Sequence, residues 1–205
     1  MRTKSEAKRD AIMETALQVF REVGFEAASM STIAARVGGS KATLYNYFNS
    51  KEELLLEAMM SSAERHAEDV LALLRTSGDL PTQLHGFVTS LLQLIGKPET
   101  TEVLRVAISV GKTSGVGRQF YELGTHEVWL HIADVLRHEI QQGLLRPSDP
   151  DMMAMHLRCL CEADVLRNLL GAGTSISDDE TKRKATCIVD IFMQAYGIVA
   201  GKAGH

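Results

Sequence analysis

At 205 residues and 22.5 kDa, with 45% hydrophobic residues, 23% charged residues and only four prolines, the chain excludes the disordered, collagen-like and fibrous classes. It has room for one helical unit of ordinary size, or for a small domain fused to a larger one. The net charge of −4 hides a gradient: residues 1–51 hold eight Lys and Arg against five Asp and Glu, whereas residues 52–205 hold fourteen against twenty-one. Any site for a polyanion is therefore expected at the N-terminal end. No stretch approaches 18 uninterrupted apolar residues, and the first ten residues are charged where a signal peptide carries its apolar segment. The three cysteines, Cys159, Cys161 and Cys187, are an odd count without metal-ligand spacing. A cytoplasmic protein with no membrane partner is expected.

Helical punctuation runs through the whole chain, and no strand alternation is found, so the expected class is all-α. The spacing predicts about nine helices, near 4–23, 30–37, 41–47, 51–76, 80–96, 100–113, 116–142, 150–171 and 178–200. Thr3 to Glu6, Ser50 to Glu53 and Ser177 to Glu180 have the hydroxyl and carboxylate spacing of a capping box, and Asp149-Pro150 gives a fourth helix start. Gly24, Gly78, Gly96, Gly143 and Gly171 each follow an apolar-periodic stretch, as glycine does when a helix ends in the left-handed conformation.

In the first helix Ile12, Ala16, Val19 and Val23 make an apolar stripe that Leu17 and Phe20 widen. Ile33, Ala34 and Val37 supply a partner from the second helix, and Leu44 with Phe48 from the third. The link between them is only Gly38-Gly39-Ser40, which suits the sharp turn of a helix-turn-helix. This leaves Lys41, Thr43, Tyr45, Asn46 and Tyr47 on the outside of the third helix, and Ser40 as its cap, with free N–H groups where a phosphate can bind. A DNA major groove about 12 Å wide admits such a helix, and Asn can read adenine there while Lys reads guanine. Either tyrosine ring could instead close the small core.

The segment from Ala11 to Leu55, with GF at 24–25, ASMSTIAARVGGS at 28–40 and KATLYNYFNSKEELL at 41–55, resembles the DNA-binding domain of the TetR family of bacterial transcriptional repressors. The resemblance implies that Thr43, Tyr45, Asn46 and Tyr47 occupy recognition-helix positions touching bases or backbone. It also implies that Ser29 and Ser31 reach phosphate or base edges near the start of the second helix, and that Lys51 contacts phosphate. Gly39 departs from the family pattern, where a larger residue is more usual, and should loosen the turn without changing its path. Residues 120–143 resemble, more loosely, the C-terminal domain of AefR-like members. The implied organisation is a helix-turn-helix DNA-binding domain at 1–50 and a helical effector-binding and dimerisation domain at 51–205.

The sequence carries its own signal for pairing. Ile188, Ile191, Phe192, Ala195 and Val199 form one stripe of the last helix, and apolar residues surround the helix over 150–171. A twofold homodimer seam is expected there, with Leu160 and Asp164 beside that stripe. Candidate effector contacts are Phe87, Leu91, Val106, Val110, Phe120, Tyr121, Trp129, Met155 and Cys159, with Arg105 and His156 as polar members. For Arg105, His156 and Asp164 a structural partner is the alternative to a ligand. His126, His131 and His138 have no i, i+4 pairing, so no metal and no cofactor are expected. The expected function is a repressor released from a palindromic double-stranded DNA operator by a small organic effector. The alternative is a helical carrier or an enzyme without DNA binding, although no nucleophile elbow, P-loop or dinucleotide fingerprint is found.

Overall fold

The computed structural model describes residues 4–75, 78–173 and 176–198. Eleven α-helices are found among the described residues: α1 Lys4–Val23, α2 Met30–Val37, α3 Lys41–Tyr45, α4 Lys51–Ala72, α5 Leu80–Gly96, α6 Pro98–Val110, α7 Val116–Phe120, α8 Glu127–Gln141, α9 Pro150–Cys161, α10 Val165–Leu169 and α11 Asp178–Tyr196. No strand occurs among them beyond one isolated bridge between Leu145 and Gly197. None of the described helices is long and apolar enough to cross a membrane.

The predicted starts are built as the residues require. Ser177 Oγ accepts from the Glu180 amide at 3.2 Å, and Asp149 accepts from the Asp151 and Met152 amides. At α4, Ser50 Oγ accepts from the Glu53 amide at 3.0 Å, but the Glu53 carboxylate reaches back to the Asn49 amide at 2.7 Å, one residue beyond the expected partner. The Thr3 cap and the seam residue Val199 lie outside the described residues. Gly96 is not a left-handed stop. It is the last residue of α5, and Lys97 carries the cap in extended backbone before Pro98 opens α6.

Two predicted helices are subdivided. The helix over 150–171 breaks after Cys161 and resumes as α10, with neither glycine nor proline at the break to announce it. The helix over 116–142 contains a π-helical stretch, Tyr121–His126, between α7 and α8. The wider π turn shifts the register of side chains, which a 3.6-residue periodicity cannot anticipate.

The chain forms two compact units, one of residues up to 65 with 102–125, the other of residues 66–101 with those from 126 onward. In the first, Ile12, Ala16, Val19 and Phe20 of α1 pack with Ile33, Leu44 and Phe48, as the stripe predicted, and Leu54, Leu55 and Met59 of α4 join them. The same core takes in Val103, Val106, Val110, Val116 and Phe120. Val23, expected in the stripe, is instead exposed at the end of α1. In the second unit Phe87, Trp129, Ile132, Leu136, Met153, Leu157, Ile188 and Phe192 are the centre of a separate core. Helix α9 runs antiparallel to α11, since His156 meets Tyr196 while Asp164, just past α9, meets Lys184.

Candidate nucleic-acid interface

Two helix starts of the same design frame this site. Ser29 caps α2 by accepting from the Thr32 amide at 3.1 Å, with its hydroxyl 2.9 Å from that of Thr32. Ser40 caps α3 in the same way from the Thr43 amide at 3.1 Å, with hydroxyls 2.8 Å apart. The pairing fixes Thr43 as well as Ser40, so the start of α3 presents ordered hydroxyls beside its free amides. Between the helices Gly38, at φ 75°, donates to the Ala34 and Ala35 carbonyls, and Gly39 donates to Ala34 at 2.9 Å. Only glycine adopts that left-handed corner without a Cβ penalty, which is why the turn is so short. A Cβ at Gly39 would lie 3.9 Å from that of Thr43, an ordinary contact. The unusual residue thus leaves space beside Thr43 without altering the path.

Ser29, Ser31, Ser40, Lys41, Tyr45 and Asn46 are exposed, and Thr43 is half-buried. Lys41 Nζ lies 5.8 Å from the centroid of the Tyr45 ring, one turn along α3. The ring of Tyr45 is free to meet a partner, with 45% of the residue exposed. The two tyrosines differ: Tyr47 is partly buried against the core of the first unit. It lies past the last helical residue, because α3 ends at Tyr45 and not at 47.

Lys51 also departs from a simple phosphate contact. Its ammonium donates to the carbonyls of Phe25 at 2.7 Å and Ala28 at 3.1 Å, and sits 4.1 Å above the Phe25 ring. Two of its three N–H donors are thus spent on the loop between α1 and α2.

Family profiles match at both ends of the chain. Residues 12–58 match the bacterial regulatory proteins of the tetR family, and residues 82–198, more than half of the chain, match the C-terminal domain of AefR-like transcriptional repressors. The chain belongs to the TetR family. It is a DNA-binding transcriptional regulator, and the AefR-like match extends well beyond the 120–143 segment that carries the resemblance in the sequence. Similar proteins include the transcriptional activator FasR of Mycolicibacterium smegmatis, 33% identical over 94 residues. That alignment takes in 46% of this chain and only 43% of FasR. A protein of Mesorhizobium loti assigned to the TetR-family regulators superposes with a TM-score of 0.84 at 25% identity, covering 96% of this chain and all of that one. The flavonoid-responsive regulator FrrA superposes with a TM-score of 0.77 at 27% identity, covering 95% of this chain and 99% of its own.

The expected effector residues are not brought together. Phe87 and Trp129 meet edge to face in the core of the second unit, ring centroids 6.2 Å apart, with Leu91 partly buried nearby. Val106, Val110 and Phe120 are instead built into the core of the first unit. Arg105 and Tyr121 are exposed, as are Met155, His156 and Cys159 on the outer side of α9. A groove of about 610 Å³ in the second unit is lined by other residues, among them Asp79, Gln83, His138, Glu139 and Met193. Among the described residues no group of three or more His, Cys, Asp or Glu is placed to hold a metal ion. Cys161 is buried, and that burial pushes its thiol up to about 12, far from the range of a reactive thiolate.

The seam residues are also redistributed. Phe192 and Ile188 face the core of their own protomer, while Leu160 is partly buried against it. Asp164 accepts from Lys184 at 2.6 Å and pairs with Arg167 at 3.3 Å, and the Lys184 hydrogen bond holds its carboxyl below the usual range. Ile191 and Ala195 do lie on the outside. Also exposed are Cys187 on α11, Ile198 just beyond it and Met152 on α9, of which Cys187 and Ile198 were not among the residues expected at a seam. The available signal was spacing: Cys187 is four residues before Ile191, and Ile198 is three after Ala195.

Proposed function

We propose that this protein is a cytoplasmic, homodimeric repressor that two copies of α3 hold on a palindromic operator and that a small organic effector releases. The observation that carries the DNA reading is the exposed Lys41, Tyr45 and Asn46 face of α3, delivered by a three-residue turn from α2 and flanked by two hydroxyl-capped helix starts. AefR-like repressors and the flavonoid-responsive FrrA support repression and an aromatic, weakly charged effector. An effector of that kind would enter the second unit near Phe87 and Trp129, parting the two rings, and would favour a state with lower operator affinity. No catalytic step is needed.

Selection from a random duplex pool tests this reading, with an enriched sequence of twofold symmetry as the expected result. Asn46→Ala should then relax the preference at one position per half-site, costing about 1–3 kcal/mol against the best base there. Uniform weakening on all duplexes would remove Asn46 from base readout.

The dimer rests on the exposed apolar side of α9 and α11, Met152, Met155 and Cys159 on one helix and Cys187, Ile191, Ala195 and Ile198 on or just beyond the other. An uncovered stripe of this extent on two antiparallel helices is self-complementary about a twofold axis. Ile191, 46% exposed, is the residue to change. Ile191→Arg should leave the helical circular dichroism intact and convert a micromolar dimer to monomer in sedimentation. A monomeric wild type, or a variant still dimeric, would remove the seam from this face.

A further inference from the structure

The helix-turn-helix is tied to α4 at two points, and the second is an ion pair that runs through α1. Arg9, on the first turns of α1, donates from one guanidinium nitrogen to the carbonyl of Tyr47 at 3.0 Å. Its other terminal nitrogen is hydrogen-bonded to the Glu57 carboxylate of α4. The guanidinium lies over the ring of Phe48, 4.4 Å from the centroid. One planar group thus grips the backbone just after α3, the aromatic residue that anchors that exit in the core, and a carboxylate two turns into α4. The flat, forked shape of arginine puts two separate nitrogens on these two acceptors while its face lies on the ring, and a lysine at position 9 would have a single nitrogen to offer both. At the other end of the motif Lys51 holds the Phe25 and Ala28 carbonyls, just before α2.

We propose that Arg9 and Glu57 are positioning residues for operator binding, fixing the exit of α3 to α4 so that Tyr45 and Asn46 meet the groove at one angle. The proposal rests on the DNA reading above and assigns it a support that touches no DNA. Its geometry is favourable for this purpose. The α3 helix is only five residues long, and beyond it the chain leaves through the Leu44 carbonyl, which accepts from Tyr47 at 2.9 Å and Phe48 at 3.0 Å. So short a helix has little rigidity of its own, and its tilt is set by what holds its ends. The Arg9 and Glu57 side chains are each 36% exposed, so this ion pair is open to solvent and its value lies in geometry more than in stability.

The competing account is that Arg9 contacts a phosphate directly, and the two predict opposite signs for Glu57. Removing a carboxylate from a DNA-binding unit strengthens binding on electrostatic grounds alone, whereas removing half of a clamp weakens it. The experiment uses the full-length protein and the duplex that the wild type selects, followed by anisotropy over a series of salt concentrations. Arg9→Gln and Glu57→Gln are each expected to weaken binding about tenfold, the scale of one hydrogen bond to a charged group. The double variant should be no weaker than the weaker single one. The log–log salt slope should stay at the wild-type value, because no counterion-releasing contact is lost. Arg9→Lys, which keeps the charge, should reproduce the loss. Tighter binding by Glu57→Gln, a salt slope reduced by about one per subunit in Arg9→Gln, or full affinity in Arg9→Lys would overturn the proposal.

A second readout needs no DNA. Amide exchange at residues 44–48 should accelerate in Arg9→Gln and Glu57→Gln while the middle of α1 and α4 keeps its protection, and unchanged exchange there would also overturn the clamp. If the wild type selects no duplex, the DNA reading fails, and the exchange measurement still decides the clamp by itself.

Discussion

Phe192→Ala is expected to destabilise the protein by about 3–5 kcal/mol, because it removes a whole aromatic side chain from a packed interior. Phe192 is 1% exposed, packs 5.1 Å from the Tyr196 ring, and belongs to the core of the second unit. A single domain holds a net stability of only about 5–15 kcal/mol, so this one change consumes much of it. The urea midpoint should fall sharply, and the folded fraction that remains should still pair through Ile191 and its neighbours. The contrast with Ile191→Arg is informative, since adjacent residues of α11 are assigned to opposite faces. One variant should lose stability, the other association. A Phe192→Ala protein of wild-type stability that sediments as a monomer would return Phe192 to the seam.

The reason spacing grouped Ile188 and Phe192 with Ile191 and Ala195 is general to helices that are apolar on two sides. In α11, Ile188 and Phe192 share a stripe with Ile191 and Ala195 by spacing alone, and periodicity cannot say which edge of a broad stripe faces its own core. The structure separates them. Ile188 and Phe192 turn inward with Val189 and Ala185, and Ile191 and Ala195 turn out. Met155, His156 and Cys159 were grouped with core residues for the same reason: α9 carries apolar residues on both sides, and these three lie on the exposed one. His156 stacks on Tyr196 and hydrogen-bonds its hydroxyl, so its partner lies on α11, 40 residues away in sequence.

The first three helices were legible because each rule there is local. Caps at Ser29 and Ser40, a left-handed Gly38, and apolar pairs three and four apart all operate within a few residues. The S-x-x-T spacing at 29–32 and again at 40–43 was visible too, and Thr32 could have been named from it. Arg9 could not. Its contacts are 38 and 48 residues away, and nothing in the composition of α1 distinguishes it from Lys8. The joining of residues 102–125 to the first unit is of the same kind, since the valines of α6 suit either core and only the tertiary arrangement chooses.

Gly117→Ala should destabilise the first unit, although helix propensity alone predicts the reverse. Gly117 is the second residue of α7, and its backbone lies outside the left-handed region, so alanine would gain about 1 kcal/mol as a better helix former. Against this, a Cβ built there would lie 2.4 Å from the Ala107 carbonyl oxygen and 2.9 Å from the Gly111 Cα. Both neighbours are backbone atoms, and neither can rotate away as the end of a side chain could. Relief requires α7 to move off the end of α6, and both helices contribute to one core through Val106, Ala107, Val110, Val116 and Phe120. Overpacking of this kind costs about 1–3 kcal/mol or more, which exceeds the propensity gain. Gly111→Ala is the control, because its Cβ would meet the Ala107 and Ile108 carbonyl oxygens at 3.4 Å, a distance that small shifts accommodate. Thermal unfolding of the two variants should therefore diverge, with Gly117→Ala well below wild type and Gly111→Ala close to it. A Gly117→Ala protein as stable as wild type, or more so, would mean that α6 and α7 slide freely past each other and that their close crossing does not hold the first unit together.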